Sequence, residues 1–449
     1  MGHRSVNPSR EYRLLQQRLD RNVTGAPESP AFTRILESLF SPAEAGVARQ
    51  LPTRPTPIHV LARRLEMPEP ELDGLLSQMA SKGLVFDLRK GERRYAALAP
   101  VVIGFFEFTF MRTGGDGLDR REIAELFEKY FFEGDGAFAR SVFGGTVQIG
   151  RSLVRESALV DGDFTEVLDW EKATRVVETA SAHAVSTCAC RHHSGHLGKA
   201  CDAPERACLS LNSGATTLVR TGHAEAIGKA EALSILRQAQ EAGLAQTADN
   251  VKNAVGYVCN CCGCCCGMMR SLRTFGLSAV VSSNFIAEID EASCSGCGLC
   301  EKACPAGAIA LREVDQPAGS PSSAPGAKPP RARKKAYRDE AICLGCGVCV
   351  PACRKGSMSM KERESRVFTP ENTFERVIAM AVERGKLADL LLEDPEDFPA
   401  QAIGRVVKVV ESLPPWKAAL AIAPLRSVFL GTLLAGMRPF AKGTPQLLS

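Results

Sequence analysis

No cysteine precedes residue 188 or follows residue 353, in a chain of 449 residues that carries eighteen of them. That absence rules out a disulfide framework spread through the fold and points the sulfur toward metal or catalytic chemistry. Long hydrophobic runs are missing too. The most apolar stretch, roughly 416–437, is broken by Lys417, Pro424 and Arg426, and its longest uncharged run, Ser427 to Met437, is eleven residues. A bilayer span needs about twenty. The first twenty residues hold no apolar signal core, and Val6 breaks the myristoylation pattern that Met1-Gly2 would open. We therefore expect a cytoplasmic protein without a transmembrane segment, with peripheral contact as its only membrane option. Charge of one sign is also scarce. A net +4 gives no strong pull toward nucleic acid. Nor is there a dinucleotide fingerprint. "FGGTVQIG" (143–150) lacks the G-x-G-x-x-G spacing and an acidic ribose partner, so it reads as turn chemistry.

What is present suggests an α+β, multidomain protein, since the length alone corresponds to about three domains. After an N-terminal arm (1–30), residues 31–98 read as helices closed by a hairpin around Lys90-Gly91. Three helices and a β-wing resemble a winged helix-turn-helix domain. Its candidate recognition helix, about 69–82, carries Glu69, Glu71 and Asp73 against Lys82 alone, whereas a DNA reader needs cations facing phosphate. Arg89, Lys90, Arg93 and Arg94 sit on the wing. The balance favours a protein-docking or structural module over one that reads DNA.

Residues 99–284 read as a mixed α/β, cysteine-rich domain. "VVIGFFEFTF" looks like a strand, and "DRREIAELFEKYFF", "DWEKATRVVETASA" and the segment ending near Gly243 look like helices. Within 285–362 lies a Pro-rich insert, 316–336, expected to be a flexible loop. Lys328, Arg331, Arg333, Lys334, Lys335 and Arg338 form a basic run there, read as a solvated loop or as a patch that steers an acidic redox partner. The 363–449 segment reads as C-terminal helices, including "AIGRVVKVVESL", and the tail "PLRSVFLGTLLAGM" is expected to pack on the core.

The strongest motif occurs twice. "CSGCGLCEKACP" places Cys294, Cys297, Cys300 and Cys304 at C-x2-C-x2-C-x3-C-P spacing, and "CLGCGVCVPACR" repeats it with Cys343, Cys346, Cys349 and Cys353. Three thiolates two residues apart wrap a tight turn around one face of a cubane. Gly296, Gly298, Gly345 and Gly347 permit the backbone angles this requires. The fourth cysteine faces the other cluster. The spacing thus assigns Cys294, Cys297, Cys300 and Cys353 to one [4Fe-4S] cluster, and Cys343, Cys346, Cys349 and Cys304 to a second. Zinc favours paired CxxC units instead.

Over about residues 285–362 the chain resembles the bacterial-type two-cluster ferredoxin domain. "FIAEID" and "AIALREV" bracket the first motif, and "KAYRDE" and "SMSMKE" bracket the second, in the manner of that family's pseudo-twofold hairpins. Two departures stand out: Arg354 replaces the proline after the second quartet, and 305–342 is an unusually long separation. The resemblance implies single-electron transfer by a module within a larger protein. The order of segments through 31–362 is also similar to anaerobe proteins that join a winged-helix-like N-terminus, a CxCR segment and a two-cluster ferredoxin.

Ten further cysteines fall between 188 and 266. Cys188, Cys190, Cys201 and Cys208 come first, and "CNCCGCCC" adds Cys259, Cys261, Cys262, Cys264, Cys265 and Cys266. Such clustering of soft ligands suggests a third metal cluster. Either the first four hold it, or Cys188 and Cys190 join two or three sulfurs of the octet. His183, His192, His193, His196 and His223 lie in the same stretch and read as polar loop residues, and Arg191 is positioned to donate to sulfur. Three functions remain open: an electron-transfer protein or oxidoreductase subunit serving a separate redox partner protein, an oxidoreductase with catalysis at 188–266, and a redox-responsive winged-helix regulator. Nothing in the sequence identifies a small-molecule substrate.

Overall fold

The computed structural model describes residues 7–114, 117–159, 169–314 and 334–391. It is a mixed α and β structure. Three helices open the chain, each started by a side-chain cap. Asn7 caps Pro8–Asp20, Ser29 caps Pro30–Leu39, and Ser41 with Glu44 forms a capping box on Pro42–Ala48. The stretch expected as an arm therefore contains a helix, and its Leu15 and Leu19 lie in the same core as Phe32, Ile35 and Leu36.

A three-stranded sheet follows, with Arg93–Leu98 between Thr56–Pro57 and Val85–Lys90, beside helices Ile58–Arg64 and Glu69–Ser81. The charges expected to face outward are partly tied down within the protein. Arg94 pairs with Asp73 and Asp87, Arg220 of the central region also reaches Asp87, and Lys82 pairs with the buried Glu44.

Residues 101–110, expected as a strand, instead form an irregular turn over 101–105 and most of the helix Phe106–Met111. The turn is fastened by Glu107, whose carboxylate accepts the Gly104 amide at 2.9 Å. The helix then sets Phe106 and Phe110 one turn apart, against Phe127 of helix Arg120–Phe132. Aromatic packing on a neighbouring helix outweighs the strand preference of those residues.

The central region is built on a seven-stranded sheet. Its order is Val280–Val281, Gly150–Ser152, Ala245–Asp249, Tyr257–Cys261, Arg206–Leu211, His183–Thr187 and Glu225–Ile227. Only the first pair is parallel. Helices Ala173–Thr179 and Lys229–Glu241 cover one face with Val177, Ala232 and Leu236. "GATTLVRTG" falls largely in the helix Asn212–Arg220. The 143–150 glycines form a turn whose Thr146 and Val147 amides are both taken by the carboxylate of Glu383.

Two short antiparallel ladders carry the cysteine quartets. Phe285–Ile289 pairs with Met358–Glu362, and Ile309–Glu313 pairs with Lys334–Arg338. The Pro-rich insert is outside the described residues except at its end, which is strand. There Lys335 donates to the carbonyls of Glu291 and Cys294, and Arg338 donates to that of Ala287. These members of the basic run thus serve the fold. At the C-terminal side, helix Thr373–Glu383 docks through Arg376, which pairs with Asp249 and donates to Ile149 O. A short helix, Leu387–Leu391, follows; "AIGRVVKVVESL" and the apolar tail lie outside the described residues. Among the described residues no helix is long and apolar enough to cross a membrane.

Candidate metal centres

The two repeats fold alike. In each, the glycines between cysteines adopt left-handed backbone: φ +67 and +78 at Gly296 and Gly298, φ +69 and +78 at Gly345 and Gly347. Each turn leads into a short helix, Leu299–Ala303 or Cys349–Ala352, with the fourth cysteine just past its end. That last cysteine is carried away from its own quartet. One cavity is lined by Cys294, Cys297, Cys300 and Cys353, and a second by Cys304, Cys343, Cys346 and Cys349. Each holds three sulfurs from one repeat and the fourth from the other.

Backbone amides point at these sulfurs: Ala308 N–H donates to Cys304 Sγ at 3.2 Å and Ala336 N–H to Cys294 Sγ at 3.5 Å. The two cavities differ in depth. Burial pushes the Cys346 thiol up to about 12. Cys297 is exposed, and its thiol is lowered by the Leu299 amide first, with Arg354 a minor contributor. Arg155 of the central region backs the deeper cavity, with its amide on Cys346 O and its side chain beside Gly347.

The first four of the ten early cysteines do not gather into one site; Cys188 and Cys190 neighbour Cys208 and the octet's Cys266, while Cys201 lies elsewhere. Cys201 joins three members of the octet, Cys262, Cys264 and Cys265, with all four sulfurs within 4.8 Å of one another. Cys201 and Cys265 are 3.8 Å apart, and Cys264 and Cys265 are 3.7 Å apart. Four bonds of about 2.3 Å in a tetrahedron place ligand sulfurs about 3.8 Å apart, so this spacing suits a single ion. The Cys262 thiol is lowered to about 3 by hydrogen bonds from the Cys265 thiol and amide and by the charge of Arg191. Cys188, Cys190 and Cys208 lie apart from this quartet, with Cys259, Cys261 and Cys266.

The octet loop also meets the end of the first repeat. A Cβ on Gly263 would sit 2.7 Å from Pro305 O, and one on Gly307 would touch the Arg273 side chain, which itself reaches Gly263 O. The quartet loop is thus packed on the turn that follows Cys304.

The histidines serve packing. His192 donates to Phe110 O and His193 to Ala124 O, with both rings against Phe110. Burial lowers His193 to about 4. Sequence reasoning missed two polar groups near the early cysteines, Glu107 and Tyr257, whose side chains face Cys190 and Cys208, and Cys259, respectively. Tyr257 was detectable, because strand alternation puts it on the face of Cys259 and Cys261. Glu107 is the lone acid of an apolar run.

Residues 293–357 match the family model described as a 4Fe-4S dicluster domain. No curated protein and no solved structure matches the chain. The chain therefore carries an iron–sulfur, ferredoxin-like domain with the capacity for electron transfer.

Proposed function

We propose that the chain is an electron-transfer protein or oxidoreductase subunit in which a two-cluster module serves the metal-binding cysteines of the central region. Cys294, Cys297, Cys300 and Cys353 hold one [4Fe-4S] cluster, and Cys304, Cys343, Cys346 and Cys349 hold the other. When bound, such clusters supply reversible one-electron storage. The protein's own groups tune that chemistry: the Ala308 and Ala336 amides stabilise thiolate charge, and Arg155 lies beside the deeper site. A third metal is held by Cys201, Cys262, Cys264 and Cys265.

The observation that carries this reading is the packing of Gly263 on Pro305. It joins the quartet loop directly to the turn after a cluster ligand, and it favours an oxidoreductase whose chemistry occurs at 188–266 over a simple carrier. A redox partner protein supplies or removes electrons from outside, and the exposed Cys297 edge is the natural point of contact. The winged-helix-like segment docks protein, because Arg94 and Lys82 already have acidic partners within the chain. A regulator that reads DNA through that segment is disfavoured for the same reason.

The test is a ligand exchange in protein purified without oxygen. The native chain should hold at least about eight iron atoms, two cubanes' worth. Cys304→Ser should alter the same EPR component as Cys346→Ser, and Cys353→Ser the same component as Cys297→Ser. Components that instead follow sequence order, Cys304 with Cys297, would refute the crossed assignment.

A further inference from the structure

Six early cysteines remain outside the four-sulfur quartet, and they form a continuous string. Neighbouring thiols run from Cys190 to Cys266, Cys261, Cys259, Cys208 and Cys188 in turn. The Cys266–Cys261 contact is 3.4 Å. These sulfurs come from four separate segments. Cys188 and Cys190 start helix Ala189–His196, Cys208 is on one strand, Cys259 and Cys261 are on its neighbour, and Cys266 caps helix Gly267–Phe275. The strand register pairs Leu209 with Val258, which brings Cys208 alongside Cys259.

Packing alone would need only small apolar side chains here. Three observations ask for more. First, backbone amides at two helix starts lie beside sulfur: Ala189 near Cys208, Gly267 near Cys190 and Met269 near Cys266. Second, Arg191 is 0% exposed and has no carboxylate partner among the described residues. Its guanidinium donates to Pro204 O and Asn260 O and lies near the sulfurs of Cys188, Cys201 and Cys262. A buried cation needs a counter-charge, and among the described residues cysteine sulfurs are what lie beside it. Third, Tyr257 Oη is buried and has no hydrogen-bond partner among the described residues, although it faces Cys259, Cys261, Cys266 and Glu107. Glu107, Cys190, Cys208, Tyr257 and Cys259 all keep some accessible area.

We propose that Cys188, Cys190, Cys208, Cys259, Cys261 and Cys266 ligate a further iron–sulfur cluster, separate from the quartet's metal, with Tyr257 at its edge. The strung-out arrangement suits several irons rather than one. Among the described residues only the Cys201 quartet draws its sulfurs together as a single ion requires. Arg191 stands between the two centres and neutralises both. This inference goes beyond the electron-transfer reading and is tested apart from it.

The experiment uses the full chain, purified and reconstituted with iron and sulfide without oxygen. Native protein should hold about twelve iron atoms or more, beyond the eight of two cubanes. Cys208→Ser/Cys259→Ser should lose about four irons and one Mössbauer component while both ferredoxin-type EPR signals persist. Cys262→Ser/Cys264→Ser should leave that component in place. Tyr257→Phe should keep the iron and shift the midpoint potential or g-values of that component alone. Native iron no greater than about eight plus the quartet's ion would overturn the proposal, as would unchanged iron in the Cys208/Cys259 variant. If that variant also loses the ferredoxin signals it has misfolded, and the native iron count and Tyr257→Phe decide. The crossed assignment of the ferredoxin cysteines stands or falls on its own ligand exchanges.

Discussion

Gly345 and Gly356 share the same left-handed backbone, φ +69 and +67, in very different surroundings. A Cβ on Gly345 would lie 2.0 Å from Phe285 O, whereas one on Gly356 meets nothing within 4 Å. Gly356→Ala should cost only the backbone strain of about 1 kcal/mol. Gly345→Ala must also push the loop off the Phe285 strand, so we expect loss of iron from the Cys343 cavity and a clearly lower Tm. Iron analysis beside thermal denaturation of the two variants checks the contrast. Equal, small effects would show that the loop tolerates displacement. At this scale the sequence was informative wherever spacing dictates chemistry: C-x2-C-x2-C announces the turn, its glycines and the three sulfurs. It was uninformative where the chemistry is assembled from distant segments. Nothing in the string of residues says that Cys201 leaves Cys188 and Cys208 to join Cys264, because that choice is made by the paths of strands far apart in sequence.

The helix Ala189–His196 shows the next level. It follows Cys188, carries Cys190 and Arg191 toward the sulfurs, and is anchored on its other side by His192 and His193 against the Phe106–Met111 and Arg120–Phe132 helices. Burial lowers His193 to about 4, from an ordinary value near 6.5. The unfolded chain therefore binds more protons than the folded one between those values, and stability contributed by neutral His193 is full above about pH 6.5 and is lost as pH falls toward 4. The loss amounts to roughly 3 kcal/mol. His193→Gln retains a donor for Ala124 O without titrating. Tm measured without oxygen from pH 7 to 5 should fall less steeply in this variant than in the native protein; parallel curves would remove His193 as a source of acid sensitivity. The helix itself was not recognised from the sequence, and the Phe106–Met111 helix was misread as a strand. Both are short, and their stability comes from aromatic contacts with partners that periodicity cannot reveal.

Across the whole molecule, boundaries drawn at 98 and 284 from composition do not separate cores. One buried apolar cluster includes Leu15, Phe106, Met269, Phe285 and Ile378, so it runs through the segments read as separate domains. Apolar faces on either side of those boundaries pack together, and a sequence shows where segments end more readily than what they pack against. This continuity bears on electron flow. The Cys262–Cys265 loop touches the ferredoxin-like domain where Gly263 lies under Pro305. A larger residue there should open the contact while leaving all ligands in place. On the proposed reading, Gly263→Val should retain iron and the ferredoxin-type EPR signals, yet slow re-oxidation of the ferredoxin-like domain after rapid reduction, by about tenfold for each 1.4 kcal/mol added to the barrier. Rapid-freeze EPR follows this step directly. If the variant transfers electrons at the native rate with full iron, Gly263 and Pro305 do not form the link. Electrons would then have to reach the central cysteines through the Arg155 side of the deeper cavity, which the same kinetics on Arg155→Gln would detect.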